Sequence, residues 1–246
     1  MVLHMRWIYI SPHFDDAVLS CGSLIWEQTH SGIPVEILTV NAGDPPPGPD
    51  SELITRIHTV WKTGTPQETV ALRRIEDQNA ANQVGAMVRQ LSIVDAIYRR
   101  TNTGSLMYTQ DVFDPIHPRE AAIVEEVALQ VARALDETDT IVCPLALGGH
   151  VDHIITRRAV ESLGHSLWYY ADIPYLFSHE SELAPATDGM NVKTFFISEQ
   201  GLLAWQQGIA AHASQLSSLF SDRQDMETHI KDYRMSHSGL RLWERA

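Results

Sequence analysis

Basic side chains are scarce in this chain. Eighteen Lys and Arg stand against 31 Asp and Glu, a formal net charge of −13 over 246 residues. That sign is wrong for following a phosphate backbone or an anionic membrane surface, so nucleic acid is not an expected partner. Long apolar runs are missing too: none approaches the roughly 20 residues that a bilayer requires. Nor does the N-terminus show a charged segment followed by an apolar stretch and a small-residue cleavage site. A cytoplasmic protein without stable membrane insertion is expected. Cysteine is limited to Cys21 and Cys143, too few for a disulfide framework in a chain of this size. Both adjoin apolar stretches and read as buried, inert thiols. Internal repeats, low-complexity tracts and a domain linker are absent as well.

The sequence does have enough apolar residues, 44 %, to fill the core of one domain over 1–246. Apolar, β-rich segments alternate with longer helical patterns, the rhythm of βαβ units. Strands are expected at Trp7–Ser11, Val35–Ala42, Ser92–Tyr98, Thr140–Leu145, Ser166–Tyr170 and Val192–Ile197. Helices are expected at about 17–31, 66–90, 118–136, 152–163 and 199–219. Several strands are nearly continuous apolar runs, as in strands covered on both faces. The fold class is therefore α/β: a Rossmann-like, mostly parallel sheet flanked by helices in three layers. Thr65-Pro66-Gln67-Glu68 carries the signals of a capped helix start. The proline-rich Gly43–Pro49 lies in a long loop over 41–64, which reads equally as a lid or a mobile excursion. A second loop is expected over 178–191, and a solvated helix after Phe220.

Ligands of parallel α/β sheets bind outside the carboxyl ends of the strands, and two unusual polar clusters fall there. His13-Phe14-Asp15-Asp16 follows the first strand. Gly148-Gly149-His150-Val151-Asp152-His153 follows Thr140–Leu145. A dinucleotide site is disfavoured, because the first turn has no G-x-G-x-x-G pattern and its carboxylates would repel a pyrophosphate. A metal accounts better for adjacent carboxylates beside an imidazole. His13, Asp16 and His153 would supply the three ligands of a catalytic zinc, and Asp15 could act as a base on its water. His150 would then stabilise an oxyanion or protonate a leaving group, with Asp152 orienting it. Gly148 and Gly149 would let backbone approach a substrate.

Ser11-Pro12-His13-Phe14-Asp15-Asp16-Ala17 resembles the first motif of the LmbE/PIG-L family of metal-dependent N-acetylglucosaminyl deacetylases and related amidases, in its P-H-x-D-D-A branch. His150-Val151-Asp152-His153 is similar to the family's H-x-D-H motif. Arg73-Arg74-Ile75-Glu76 through Gly85 resembles its R-x-x-E helix, and His212-Ala213-Ser214-Gln215 its H-x-S-Q segment. The resemblance implies a Rossmann-like fold, Zn2+ or another divalent metal on His13, Asp16 and His153, Asp15 as general base, and His150 stabilising the tetrahedral intermediate. It also implies that Arg73 contacts substrate, unless it is an exposed, solvated side chain. Phe14 stands where the commoner branch has proline, and either forms an apolar wall of the substrate site or packs inward. His212 reads as helix packing or surface, or as a functional residue.

The activity so implied is hydrolytic N-deacetylation of an amino sugar or glycosylated small molecule. Action on another amide, such as a thiol-sugar conjugate, is the neighbouring alternative. A non-catalytic metal or sugar binder is a third, disfavoured because a binder has no need of a base beside the metal. Relatives are often multimeric, so a homo-oligomer is compatible with the sequence.

Overall fold

The computed structural model describes residues 5–113 and 115–245. Its sheet has seven strands in the order β3-β2-β1-β4-β5-β7-β6. These are β1 (Trp7–Ser11), β2 (Val35–Thr39), β3 (Met87–Gln90), β4 (Thr140–Pro144), β5 (Leu167–Tyr170), β6 (Met190–Phe195) and β7 (Leu240–Arg245). Strands β3-β2-β1-β4-β5 are parallel neighbours, while β7 runs antiparallel to both β5 and β6. β1 and β2 are the apolar runs WIYIS and VEILT, buried along almost their whole length. Runs of that kind need cover on both faces.

The helices supply it. α1 (Asp16–His30), α3 (Pro66–Val84) and α8 (Glu199–Ala211) pack on one another, and α4 (Ile123–Ala132) packs on α5 (Val151–Ser162). Right-handed crossovers put these groups on opposite faces, because the chain steps outward from β1 to β2 and β3 and then returns across β1 to reach β4. The contact of α1 with α8 is close: a Cβ on Gly22 would lie 2.7 Å from Trp205 Cδ1, and Trp205 Nε1 donates to the carbonyls of Val18 and Leu19.

The expected three-layer α/β fold is present, with several local corrections. Helix α3 has the capping box at Thr65 and Glu68 but stops at Val84, because Gly85 takes a left-handed conformation with φ 73°. The segment after it pairs with β2, so the third strand is Met87–Gln90 rather than Ser92–Tyr98. Residues 92–98 instead pass beneath the strand ends and finish in a 3-10 turn at Ala96–Tyr98, capped by Asp95. The region read as a loop over 41–64 holds α2 (Glu52–Trp61), capped by Ser51. Its Leu53, Ile54, Ile57, Val60 and Trp61 follow a helical period that the neighbouring prolines obscured. The region over 178–191 likewise holds α7 (Glu180–Ala186), preceded by the short α6 (Tyr175–Ser178).

The helix expected over 199–219 breaks at His212 into α8 and α9 (Ala213–Leu219). Glu76 of α3 causes the break by gripping the start of α9, accepting from Ser214 N at 2.8 Å and from its Oγ at 2.6 Å. The charged segment after Phe220 is helical as expected, α10 (Arg223–His237), but it buries Met226, Ile230 and Tyr233. β7 follows it and was not anticipated. Cys21 and Cys143 are free and buried, in agreement with the sequence reading.

Asp77 of α3 is buried against the sheet, its Oδ2 accepting from Thr39 Oγ1 at 3.0 Å and Gln90 Nε2 at 2.9 Å. Burial pushes its carboxyl up to about 7, against those two hydrogen bonds. An unfolded Asp loses its proton near pH 3.9. The folded chain therefore binds more protons between about pH 4 and 7, and this group's contribution to stability falls as pH rises through that window, then levels. Asp77→Asn is expected to remove that slope and to exceed the wild type by of order 4 kcal/mol at pH 8. Urea midpoints at pH 5 and pH 8 test this; a wild-type-minus-variant difference that does not change with pH refutes it.

Candidate metal centre and cleft

The strand order reverses direction between β1 and β4, so the loops that leave these two strands diverge and open a crevice. Both polar clusters sit on its rim. After β1 the turn is tied down by Asn41, whose Nδ2 donates to Pro12 O at 2.8 Å. Ser11 Oγ accepts from Ala17 N at 3.0 Å, which starts α1 close to the strand end. Asp15 occupies the N-cap position of α1 but makes no side-chain cap bond. Its carboxylate is thereby left for other partners.

After β4 the chain turns through Ala146, Gly148 and Gly149, all with positive φ. A Cβ on Gly148 would meet the Tyr175 ring at 2.6 Å, so glycine is required there by contact as well as by conformation. His150 then caps α5, its Nδ1 accepting from Asp152 N at 3.1 Å. An accepting Nδ1 puts the ring proton on Nε2.

The two clusters meet. His13 Nδ1 lies 3.2 Å from Asp16 Oδ2, and His153 Nε2 lies 3.3 Å from the same oxygen. The far nitrogen of each ring is held by another carboxylate: His13 Nε2 donates to Asp152 at 3.1 Å, and His153 Nδ1 to Asp172 at 2.7 Å. This is the arrangement in which second carboxylates orient metal-binding imidazoles. His150 stands in the same group, its ring centroid 4.7 Å from that of His13. His153 is fully buried, and its Nε2 has no hydrogen-bond partner. A solvent-free ring nitrogen facing a carboxylate across 3.3 Å suits a cation between them, so His13, Asp16 and His153 fit a divalent metal of the zinc type.

The electrostatics agree. Burial opposes charge on both rings, yet the carboxylates prevail: His13 is raised well above the ordinary imidazole range by Asp152 and Asp16. His153 is pushed up to about 9, chiefly by Asp16. A cation bound at the same atoms would take the place of those protons. His150 goes the other way, held well below its usual value by burial and by His13, and is neutral.

Asp152 differs from expectation. Its backbone N–H orients His150, but its carboxylate does not: it accepts from His13, from Ala96 N at 2.9 Å and from the Arg99 guanidinium. Burial would raise its pKa, but Arg99 and His13 keep it well below the carboxylate range. Arg99 is paired in turn with Glu120.

Arg73 is not a solvated helix side chain. It is 4 % exposed, with its guanidinium between Phe14 at 5.0 Å and Trp61 at 4.7 Å from the ring centroids. From there it reaches Asp15 at 3.4 Å and Asp95 at 3.6 Å. Phe14 is buried and packs inward beneath Arg73 rather than walling the cleft. His212 is buried, with both ring nitrogens unpartnered, and is pushed down to about 4 by burial. The surface reading is excluded.

Asp95, Arg99, Glu120 and Asp172 were missed in the sequence. Asp172 stands two residues past β5, where position after a strand was the available signal, whereas Asp95 lay inside the segment expected as a strand. Arg99 and Glu120 had none.

Above the centre lies an open cleft of about 1050 Å³. Trp61 and Val60 of α2, Phe113, Tyr175, Phe177 and Phe220 line it, with His13, Asp15, Asp16 and His150 at its base. Trp61 Nε1 donates to Ser218 Oγ at 3.2 Å and joins α2 to α9. His58 anchors α2 from below, accepting from the Tyr98 hydroxyl at 2.7 Å.

Fold and donor set together make an α/β domain with a His/Asp cluster at its strand ends whose chemistry suits a divalent cation. Residues 8–163 match the family described as PIG-L, GlcNAc-PI de-N-acetylase, and the chain belongs to that family. A 2'-N-acetylparomamine deacetylase of Niallia circulans is 31 % identical over 194 residues, 72 % of this chain and 70 % of that protein. The structure of a deacetylase–bog complex from the biosynthesis pathway of teicoplanin covers 98 % of this chain and 97 % of its own, with a TM-score of 0.83 and 26 % identity. A zinc inhibited form of a teicoplanin deacetylase gives 0.82 at 25 % identity, over 98 % of this chain and 97 % of that one. The A40926 pseudoaglycone deacetylase gives 0.75 at 28 %, over the same shares. No helix among the described residues is long and apolar enough to cross a membrane.

Arg73 is the cation between two buried carboxylates, so its removal should leave them uncompensated. Arg73→Met is expected to cost about 3–5 kcal/mol in metal-free protein, measured by urea unfolding. A loss under about 1 kcal/mol would mean that the pairing contributes little.

Proposed function

We propose that this protein is a metal-dependent hydrolase that removes the N-acetyl group from an amino sugar carried on a glycosylated small molecule. The observation that supports this best is the convergence of His13 Nδ1, Asp16 Oδ2 and His153 Nε2, with Asp15 and His150 beside them at the base of one cleft. His13, Asp16 and His153 would hold the cation. When bound, such an ion lowers the pKa of a water toward about 7 and polarises the acyl oxygen.

Asp15 takes the proton of the attacking water, its carboxylate steadied by Arg73. His150 carries its proton on Nε2, because Nδ1 is occupied by the Asp152 N–H, and donates it toward the acyl oxygen as negative charge develops there. The proton held by Asp15 passes to the departing nitrogen, and amine and acetate leave. Asp152 keeps His13 oriented rather than touching substrate.

The cleft supports a finer reading of the substrate. It is larger than one sugar needs, and its aromatic walls from α2, Phe113, Tyr175 and the 177–220 region suit an aglycone with apolar or aromatic surface. An aryl N-acetylglucosaminide is expected to exceed free N-acetylglucosamine in kcat/KM by about tenfold or more, since burying one ring contributes of order 1.5–3 kcal/mol. Equal values would refute the aglycone reading.

Metal content by elemental analysis, joined to an amine-release assay before and after chelation, tests the whole assignment. About one divalent ion per chain and chelator-sensitive release are expected. Asp15→Asn should retain the ion and lose about 10²–10⁴-fold in kcat, whereas His153→Ala should lose the ion itself. An active, metal-loaded Asn variant would remove Asp15 from its role. Zinc is the first ion to test, and the zinc inhibited relative makes a fall in rate above one equivalent a further expectation.

A further inference from the structure

Asp172 stands one residue past β5 and Ala171, fully buried, and belongs to neither sequence motif. Both of its carboxylate oxygens face donors. Oδ1 accepts from His153 Nδ1 at 2.7 Å, and Oδ2 accepts from the backbone N–H of Leu147 at 3.0 Å. Leu147 opens the glycine-rich turn that leads to His150. The backbone around Asp172 is itself pinned: Leu176 N donates to its carbonyl at 2.8 Å, and Ile173 N donates to Ser20 Oγ of α1 at 3.0 Å.

We propose that Asp172 is a positioning residue that fixes the proton of His153 on Nδ1, presents its Nε2 lone pair toward Asp16, and holds the turn bearing His150 in register with it. The inference rests on the metal-dependent reading above for its consequence, though not for its geometry.

The two donors that Asp172 faces are unequal. An amide N–H of the backbone can only donate, whereas an imidazole can move its proton between nitrogens. An asparagine at this position has one acceptor and one donating group. Its carbonyl is required by Leu147, so its NH2 must face His153 Nδ1, which then becomes an acceptor. The ring proton moves to Nε2 and blocks the nitrogen that faces Asp16. Shape and volume are nearly unchanged, so the defect is one of tautomer rather than packing. The same carboxylate-to-amide exchange beside a histidine in serine proteases traps the wrong tautomer.

The test uses the full chain and zinc alone as probe. Zinc affinity of wild type and Asp172→Asn is measured by competition with a chromophoric chelator, and the variant is expected to bind about 10–100-fold more weakly. Far-UV circular dichroism of the two metal-free proteins should superimpose, so that weaker zinc binding is not a loss of fold. A variant with wild-type zinc affinity overturns the inference, while a wild type that takes up no zinc overturns the metal-dependent reading instead. Long-range 15N–1H spectra of His153 in the wild type provide a measurement that depends neither on folding of the variant nor on metal. At high pH, where the ring is neutral, the proton is expected on Nδ1, and a proton on Nε2 overturns the assignment.

Discussion

Five carboxylates, from Asp15, Asp16, Asp95, Asp152 and Asp172, are buried together at one end of the sheet. Left to themselves, like charges this close and this dry would drive one another to the neutral form. The remainder of the site depends on how that repulsion is met. Arg73 lies between Asp15 and Asp95, Arg99 holds Asp152, and the rings of His13 and His153 fill the gaps between Asp16, Asp152 and Asp172. A divalent ion beside Asp16 would take the place of the two imidazolium protons of His13 and His153 with equal charge. The imidazoles and Arg99 thus hold Asp16 and Asp152 well below the ordinary carboxylate range against the cost of burial, the charged form that cation ligation needs.

This requirement reaches into the fold. Arg73 arrives from α3, which lies against the ends of β2 and β3, through a covering of aromatic rings, and Phe14 fills the space beneath the guanidinium. Arg99 must arrive from the far side of the crevice. That explains why the apolar stretch 92–98 passes under the strand ends as a turn instead of pairing as a strand: it delivers Arg99 and Asp95 to the cluster and Tyr98 to His58. Packing satisfies the apolar residues of this stretch as well as a strand would have done. The helix break at His212 has a similar origin, since Glu76 draws the start of α9 toward α3 and over the cleft.

Much of this was legible in the sequence, because it is written locally. The parallel core strands are contiguous apolar runs, the capping box announces α3, and the two His/Asp clusters stand directly after their strands. The unreadable parts depend on contacts between distant segments. Asp172 looks like an ordinary loop acid until the sheet brings it beside His153, and Asp95, within an apolar stretch that reads as a strand, shows no sign of its place beside Arg73. Arg73 has the sequence context of an exposed helical residue, and only the approach of Trp61 from α2 buries it. Asp152 adjoins His150 in the chain, which suggested that its carboxylate would serve that ring. At the first turn of α5 a side chain points back and away from its own cap, and the carboxylate reaches His13 across the crevice instead.

The same geometry separates what the protein does from what it selects. The atoms that would hold a cation and move a proton come from the segments that follow β1 and β4, fixed by the sheet and by buried hydrogen bonds. The cleft walls come from α2, α6, α9 and the residues near Phe113, elements that touch the sheet little, with α2 packed on α9 and joined to it by Trp61 and Ser218. Substrate preference can therefore change through the walls without disturbing the charge balance below, with one exception. Trp61 belongs to both, since one side of it lines the cleft and Arg73 lies against its ring. A ligand that moves α2 must also move the cover over Arg73, and through it the surroundings of Asp15, so binding in the outer cleft and the orientation of the base are mechanically joined at that residue.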